Sequence, residues 1–362
     1  MYNDDTFKAN LHYNQNKLMA DGYTQYKTDG TWSDSMYDTS EKNRTYGIDL
    51  QKQFKLSEKS NFILGADYKN EYYYNYGDRL TDRHIYAVFG QYDHKFDDKN
   101  EFILGARETW TTSGYLGENY DNFSVSAQYL HKLNDNESLY ASYVESFIMP
   151  TLDQKYGTST SATSNPDLKP QKGQNYEIGW KKYSDDHVWK AAVYHIDITD
   201  NISPTWNKSA STYKYKNEDF KNTGLELTCE VVGKNGFSYN YGINYGDPKV
   251  KANGDASSKK YWDRKYGRWQ LTGGIDYVKD KWTSSLQATY LAERVECPSS
   301  SHSFKEKPYL LTSLTTTYNA DKQNSFTLAI DNLLDREDNL SHTGSEYFST
   351  PFNFLLSYTH KF

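Results

Sequence analysis

Cysteine is nearly missing from this sequence: Cys229 and Cys297 are the only two in 362 residues. They lie far apart and outside any CxxC spacing, which excludes a disulfide-built scaffold and leaves open whether the two pair with each other. Long apolar runs are missing too, so no transmembrane helix is expected. A basic excess is also missing: 41 Lys and Arg stand against 48 Asp and Glu, a formal charge of −7. Nucleic acid rewards a basic face and is not expected as a partner. There is no Gly-rich phosphate loop, zinc spacing or nucleophile elbow, and the carboxylates lack the pairing that acid–base chemistry needs. Nothing points to an enzyme, and no cofactor is expected. The opening stretch, "MYNDDTFKANLHYN", has no basic n-region or apolar h-region, so a secretory signal is not expected within these residues.

What is abundant is tyrosine. The chain has 35 Tyr, 16 Phe and 8 Trp, although only 36% of it is hydrophobic, and its mean hydropathy is −0.93. A Tyr ring sits well at a lipid headgroup while its hydroxyl stays wet. No helical stripe persists, but a period of two recurs over stretches of about 10 to 15 residues. "FILGARETW" places Phe102, Leu104 and Ala106 opposite Ile103, Gly105 and Arg107. "YEIGWKKY" places Tyr176, Ile178 and Trp180 opposite Glu177, Gly179 and Lys181, and "RWQLTGGIDYV" divides in the same way.

The connections alternate in length. Short ones fall at 56–60, 96–100, 133–136, 184–187, 233–236, 279–281 and 319–323, with longer segments near 148–172, 199–210, 247–263, 295–306 and 333–350. A sheet trimmed at one end and elaborated at the other is the pattern of an outer-membrane barrel; soluble sandwiches and propellers do not sort loops by parity. The end of the sequence fits. In "PFNFLLSYTHKF", Phe352, Phe354, Leu356, Tyr358, His360 and Phe362 share one face, which would meet lipid, while Asn353, Leu355, Ser357, Thr359 and Lys361 would line the lumen. Spanning sheets must close because every backbone group in lipid needs a partner.

The stretch "LYASYVESFIMPTLDQKYGTSTSATSNPDLKPQKGQNYEIGWKK" resembles TonB-dependent outer-membrane receptors: Pro150, Thr151 and Leu152 leave a strand, Asn165, Pro166, Asp167, Leu168, Lys169 and Pro170 form the loop motif, and Glu177 and Gly179 open the next strand. Gln171 departs from the Glu usual there. "YKNEDFKNTGLELTCE" (215–230) and "AIDNLLDRE" (329–337) follow in the family's order, so the resemblance covers roughly 60–362. It implies an all-β, transmembrane antiparallel β-barrel, incomplete, with about 16–18 of the 22 strands the family has. Residues 1–362 are then expected to form one partial-barrel domain, the plug domain, the signal peptide and the TonB-contacting segment lying outside this sequence. The implied task is uptake of a ferric siderophore, cobalamin or similar scarce nutrient in the bacterial outer membrane. TonB would act only through a plug this sequence does not hold. The terminal strand, with Phe354, Leu356, Tyr358 and Phe362, would meet outer-membrane lipid and the barrel-assembly machinery. A passive porin-like channel and an inactive piece of a split receptor are the alternatives.

Candidate binding residues sit in the long loops. Tyr156, Trp206, Tyr261 and Trp262 are placed for a flat or catecholate-like ligand, with Lys259 and Lys260 among the cations beside the last two. The other reading of such rings is an aromatic girdle at strand ends, and of such lysines a solvated charge run. The Asn165–Pro170 segment reads first as a structural re-entry, its prolines fixing extended backbone and its Asn and Asp favouring turns. Haem is disfavoured: the box before the loop reads Phe147, Ile148, Met149, Pro150, with no His between it and Asn165. His302 and His342, in separate loops, are weak candidates for a metal or haem iron, and Asp29, Asp34 and Asp38 for calcium.

Overall fold

The computed structural model describes residues 2–3, 6–20, 28–32, 39–75, 79–113, 119–156, 162–207, 212–252, 263–264, 266–299, 302–341 and 347–361. In chain order the strands are β1 (Tyr2–Asn3), β2 (Phe7–Ala20), β3 (Thr39–Lys55), β4 (Ser60–Asn75), β5 (Arg79–Lys95), β6 (Asn100–Ser113), β7 (Asn119–Asn134) and β8 (Glu137–Ile148). A single short helix, α1 (Leu152–Tyr156), precedes β9 (Ala162–Thr163), β10 (Gln171–Tyr183), β11 (His187–Asn207), β12 (Thr212–Val232), β13 (Phe237–Gly246), β14 (Lys249–Ala252) and β15 (Asp263–Arg264). The last are β16 (Trp269–Lys279), β17 (Trp282–Ala292), β18 (Arg294–Ser299), β19 (His302–Glu306), β20 (Tyr309–Asn319), β21 (Asn324–Asp331) and β22 (Asn353–His360).

Sixteen of these run to eight residues or more, within the expected range. All seven expected short connections are turns between consecutive long strands. The long segments depart from expectation in one respect: three carry structure of their own, namely α1 with β9, β14 with β15, and the β18–β19 hairpin. Residues 212–232 form one continuous strand, β12. The chain divides into two compact units, one of residues 1–129, 144–174 and 199–218, the other of 130–143, 175–198 and 219–362.

In the first unit β2 to β6 form an antiparallel meander with continuous register. Leu11 pairs with Ile48, Ile48 with Tyr68, Tyr68 with Tyr86, and Tyr86 with Trp110, so one row across five strands is wholly apolar or aromatic. That face is open: Leu11 is 73% exposed, and Leu64, Val88 and Leu104 are also bare. The adjacent row on the other face runs Asn14, Thr45, Glu71, Arg83 and Ser113. A slip of one residue would exchange the faces, so their contrast fixes the register. An apolar face left bare with a polar one opposite is the inverse of a soluble core and suits a sheet with lipid outside.

The second unit repeats the pattern. Its strands pair in the order β12, β13, β16, β17, β20, β21, β22. Trp282, Tyr318, Phe326 and Tyr358 lie in one row at the short-turn end, their rings stacking in pairs at 4.9 Å (Trp282–Tyr318) and 5.1 Å (Phe326–Tyr358). This is an interfacial aromatic belt. Turn chemistry matches: Asn235 and Gly236 both have positive φ (59° and 90°) in the turn after β12, the conformation a tight hairpin demands. A Cβ on Gly236 would also fall on the Val278 carbonyl oxygen. Cys229 is a free, buried thiol.

Candidate functional site

The polar face of the first unit carries a row of charge. Lys69 Nζ lies 2.6 Å from Glu71 Oε1, and Arg83 Nε donates to Glu71 Oε2 at 2.7 Å. Arg107 clasps Asp67 with two nitrogens, at 2.8 and 3.0 Å. Arg83 Nη1 also donates to the Pro150 carbonyl at 2.6 Å. That bond ties the segment leaving β8 to the strand wall, and Tyr73 adds a second tie by donating to Asp153 at 3.1 Å.

The segment is folded by its own sequence. Thr151 and Gln154 form a reciprocal cap: Gln154 N–H donates to Thr151 Oγ1 at 3.1 Å, and Thr151 N–H donates to Gln154 Oε1 at 2.9 Å. This arrangement starts α1 and satisfies two otherwise orphaned donors. Leu152 is buried, and so is Lys155, whose ammonium donates to Tyr120 Oη (3.3 Å) and the Leu168 carbonyl (3.2 Å).

The Asn165–Pro170 motif completes the clamp. Asn165 N–H reaches the Gln154 carbonyl at 2.8 Å, and its side-chain amide donates to Tyr215 O at 2.9 Å. Asp167 N–H returns to Asn165 Oδ1 at 3.1 Å, closing a local turn, and Leu168 is fully buried. Pro150 and Pro170 are buried while Pro166 and Asp167 face solvent. Asn217 grips the Lys169 backbone on both sides, accepting from its N–H (2.9 Å) and donating to its carbonyl (3.0 Å). The motif therefore acts as a strut that returns the long segment to the sheet. Beside it an open cavity of about 620 Å³ is lined by Glu71, Arg83, Arg107, Glu145, Phe147 and Met149, among others.

In the second unit the Glu177–Gly179 motif has a physical purpose. Tyr140 Oη donates to Glu177 at 2.6 Å and Lys181 Nζ sits 4.9 Å from the Tyr140 ring centre. A Cβ at Gly179 would come within 2.3 Å of the Tyr140 ring and force that hydrogen-bonded side chain to shift. "AIDNLLDRE" builds the connection after β21: Asn332, at positive φ (51°), donates to Arg336 O (2.7 Å) and Thr350 O (2.8 Å). The Arg336 guanidinium holds Asp338 below the usual carboxylate range, against the opposing effect of burial. Arg294, buried at the start of β18, donates to the carbonyls of Lys307 (2.8 Å), Asn339 (2.6 Å) and Ser341 (2.5 Å).

The expected binding residues are only partly gathered. Tyr156 is not a loop tip: it ends α1, half-buried, with Lys155 Nζ 5.8 Å from its ring centre. Trp206 lies within β11 rather than in a loop, because that strand runs 21 residues and overshoots any membrane span. Lys259, Lys260, Tyr261, Trp262, His342 and Phe362 lie outside the described residues, as do Asp34 and Asp38. His302 opens β19, opposite Ser299. Asp29 accepts from the Thr31 hydroxyl at 2.6 Å in a local turn. Phe354, Leu356 and Tyr358 stand on the open face of β22 as expected. Sequence reading missed the charged row of Lys69, Glu71, Arg83 and Arg107 and the Arg294 clamp. Charges at alternate positions of "ADYKNEYYYN" were the available signal for the row.

A family model described as "TonB dependent receptor-like, beta-barrel" matches residues 1–333. The ferripyoverdine receptor of Pseudomonas aeruginosa is 28% identical over 350 residues, covering 90% of this chain and 36% of that protein. The vitamin B12 transporter BtuB of Vibrio vulnificus is 25% identical over 198 residues, 52% of this chain and 30% of that protein. The chain thus spans about a third of the length of these curated relatives. Among solved structures, the copper transporter OprC superposes with a TM-score of 0.76 at 14% identity, covering 98% of this chain and 62% of that one.

Proposed function

The chain belongs to the TonB-dependent receptor-like β-barrel family, and on that footing we propose that it forms the outer-membrane wall and external loops of a receptor importing a scarce nutrient complex, a ferric siderophore or cobalamin. Residues 1–362 act as one partial-barrel domain. The carrying observation is the way the polar face of the first unit is furnished. Its long-loop end is fixed by the Arg83–Pro150 and Lys155–Leu168 contacts, while Lys69 and Arg107 of the charged row stay accessible along an open cavity. A passive pore needs no such inward-tied segment. A gated one needs a polar wall on which a plug can seat, and TonB acts through that plug. The printed functions of the relatives, ferripyoverdine reception and vitamin B12 transport, support a metal-complex or corrinoid cargo. Tyr156, Trp206, Lys259, Lys260, Tyr261 and Trp262 are the capture candidates. The terminal strand serves assembly into the membrane.

The test is uptake by cells that lack their own receptors and express the full receptor containing this chain. Radio-iron pyoverdine and labelled cyanocobalamin are supplied separately, with and without an uncoupler. Accumulation of one probe that collapses with the uncoupler supports the proposal. Energy-independent sugar flux through liposomes holding this chain alone would overturn it in favour of a porin.

A further inference from the structure

On the open face of the first unit, three cations stand where the aromatic row ends. Tyr13 pairs with Tyr46 across β2 and β3; two residues further toward the long-loop end Gln15 pairs with Arg44, and two further again Lys17 pairs with Lys42. All share the face of Leu11 and Ile48, because side chains alternate along a strand. At about 3.4 Å per residue, the cations begin about 7 Å beyond the ring row along the strand. That is the depth at which headgroups follow acyl chains in an outer leaflet.

Two features set this patch apart from a solvated charge run. Lys17 and Lys42 are directly opposite one another, a like-charge pairing that destabilises a ladder unless an anion lies between. Arg44 is held flat, its guanidinium carbon 4.3 Å from the Tyr72 ring centre, with Nε buried and without a hydrogen-bond partner among the described residues. The carboxylate of that row, Asp82, lies beyond Tyr72 and faces His84 at 3.4 Å. Among the described residues none of the three cations has a carboxylate partner.

We infer that Lys17, Lys42 and Arg44 form a binding site for the phosphate of an anionic glycolipid headgroup in the outer leaflet. The occupant follows from the placement: three positive charges just past the Tyr13–Tyr46 pair, on the face whose lower rows are apolar and meet acyl chains, complement a phosphorylated lipid. The inference rests on the membrane reading above, since the same face must meet lipid below the rings.

The probe is diphosphoryl lipid A, titrated into the full receptor containing this chain, refolded in phosphatidylcholine vesicles, with its dephosphorylated form and inorganic phosphate as separate arms. The expected result is a rise in melting temperature with the diphosphoryl form alone. Affinity should fall by about fivefold per cation removed, and by about a hundredfold in Lys17→Gln/Lys42→Gln/Arg44→Gln. In neutral vesicles the triple variant should be no less stable than the parent, which shows that it folds. An equal rise with the dephosphorylated lipid or with inorganic phosphate, or an unchanged rise in the triple variant, overturns the site while leaving the membrane reading intact. Failure of the parent chain to insert into neutral vesicles overturns both.

Discussion

Tyr358 donates its phenol hydroxyl to Asn324 Oδ1 at 2.5 Å. The belt ring of the last strand is thereby tied to the turn that precedes its partner β21. The same device occurs in the other unit, where Tyr129 Oη donates to Asn100 Oδ1 at 2.6 Å. Each Asn is held from behind by the turn aspartate: Asn100 donates to Asp97 and Asn324 to Asp321, both at 2.8 Å. Removing the amide in Asn324→Ala should therefore cost about 2–3 kcal/mol, against about 1 kcal/mol for Tyr358→Phe, because the contacts of Asn324 with Asp321 and with His360 Nδ1 are lost as well. Urea unfolding in detergent checks the ratio; equal costs would mean that the Asp321 and His360 contacts contribute nothing.

These turns also predict a response to acid. The Asn100 amide, then the Lys99 backbone N–H, hold Asp97 below its ordinary range, and Asn324 with the Gln323 N–H do the same for Asp321. A carboxylate whose folded pKa is depressed contributes stability above its unfolded value, about 3.9, and loses it as pH falls through the folded value. The urea midpoint should be flat from about pH 7 to 5 and decline below about pH 4. In Asp97→Asn/Asp321→Asn that part of the decline should vanish, so an unchanged slope would refute the assignment.

Gly179→Ala should destabilise by more than about 2 kcal/mol, since the new methyl meets the Tyr140 ring and overpacking has that scale. The companion Tyr140→Ala should recover part of the loss when combined with it. A double-mutant cycle reads the coupling directly, and strict additivity would show that the ring is not the obstacle.

Arg83→Ala should cost about 3 kcal/mol, the low end for breaking a buried pair, because Lys69 still accompanies Glu71. It should also free the root of the long segment. Lys155 is only 3% exposed in the intact chain, so trypsin cleavage after it reports the release. Persistent protection in the variant would mean that the capped α1 and Leu152 suffice to hold the segment.

Leu104→Arg places a charge on the bare face of β6 and should cost about 2–4 kcal/mol in a bilayer if that row lies near its middle. Thr109→Arg, on the polar face, should cost less. Comparable refolding yields into vesicles for the two would contradict the assignment of faces.

Most of the scaffold was legible because the sheet has one period and one grammar of turns. Faces read from "FILGARETW" and "RWQLTGGIDYV" are the faces observed, since alternation leaves no freedom once register is set. Six of the seven short turns were marked by Asp, Asn or Gly and the one at 56–60 by Ser, residues whose local bonding is independent of the rest of the chain. The site was less legible. Tyr156 looked like a loop tip because the Thr151–Gln154 cap, which makes it helical, lies within a stretch too short to show a period. Trp206 looked like loop because nothing in a run of alternating residues says where lipid ends. The Glu71–Arg83 pair joins adjacent strands across 12 positions, and Arg83 reaches Pro150 over 67 positions. Such a contact is set by the strand ladder and not by any local pattern.

The bonds that root the long segment have a property with historical weight. Arg83 takes Pro150 by its carbonyl, Lys155 takes Leu168 by its carbonyl, and Asn165 takes Tyr215 in the same way. A carbonyl oxygen is the same whatever side chain its residue bears. Mutation can therefore rewrite the residues strung between Tyr156 and Asn165 without touching the fastening at either end. A lineage can exchange the side chains there while inheriting the wall unchanged.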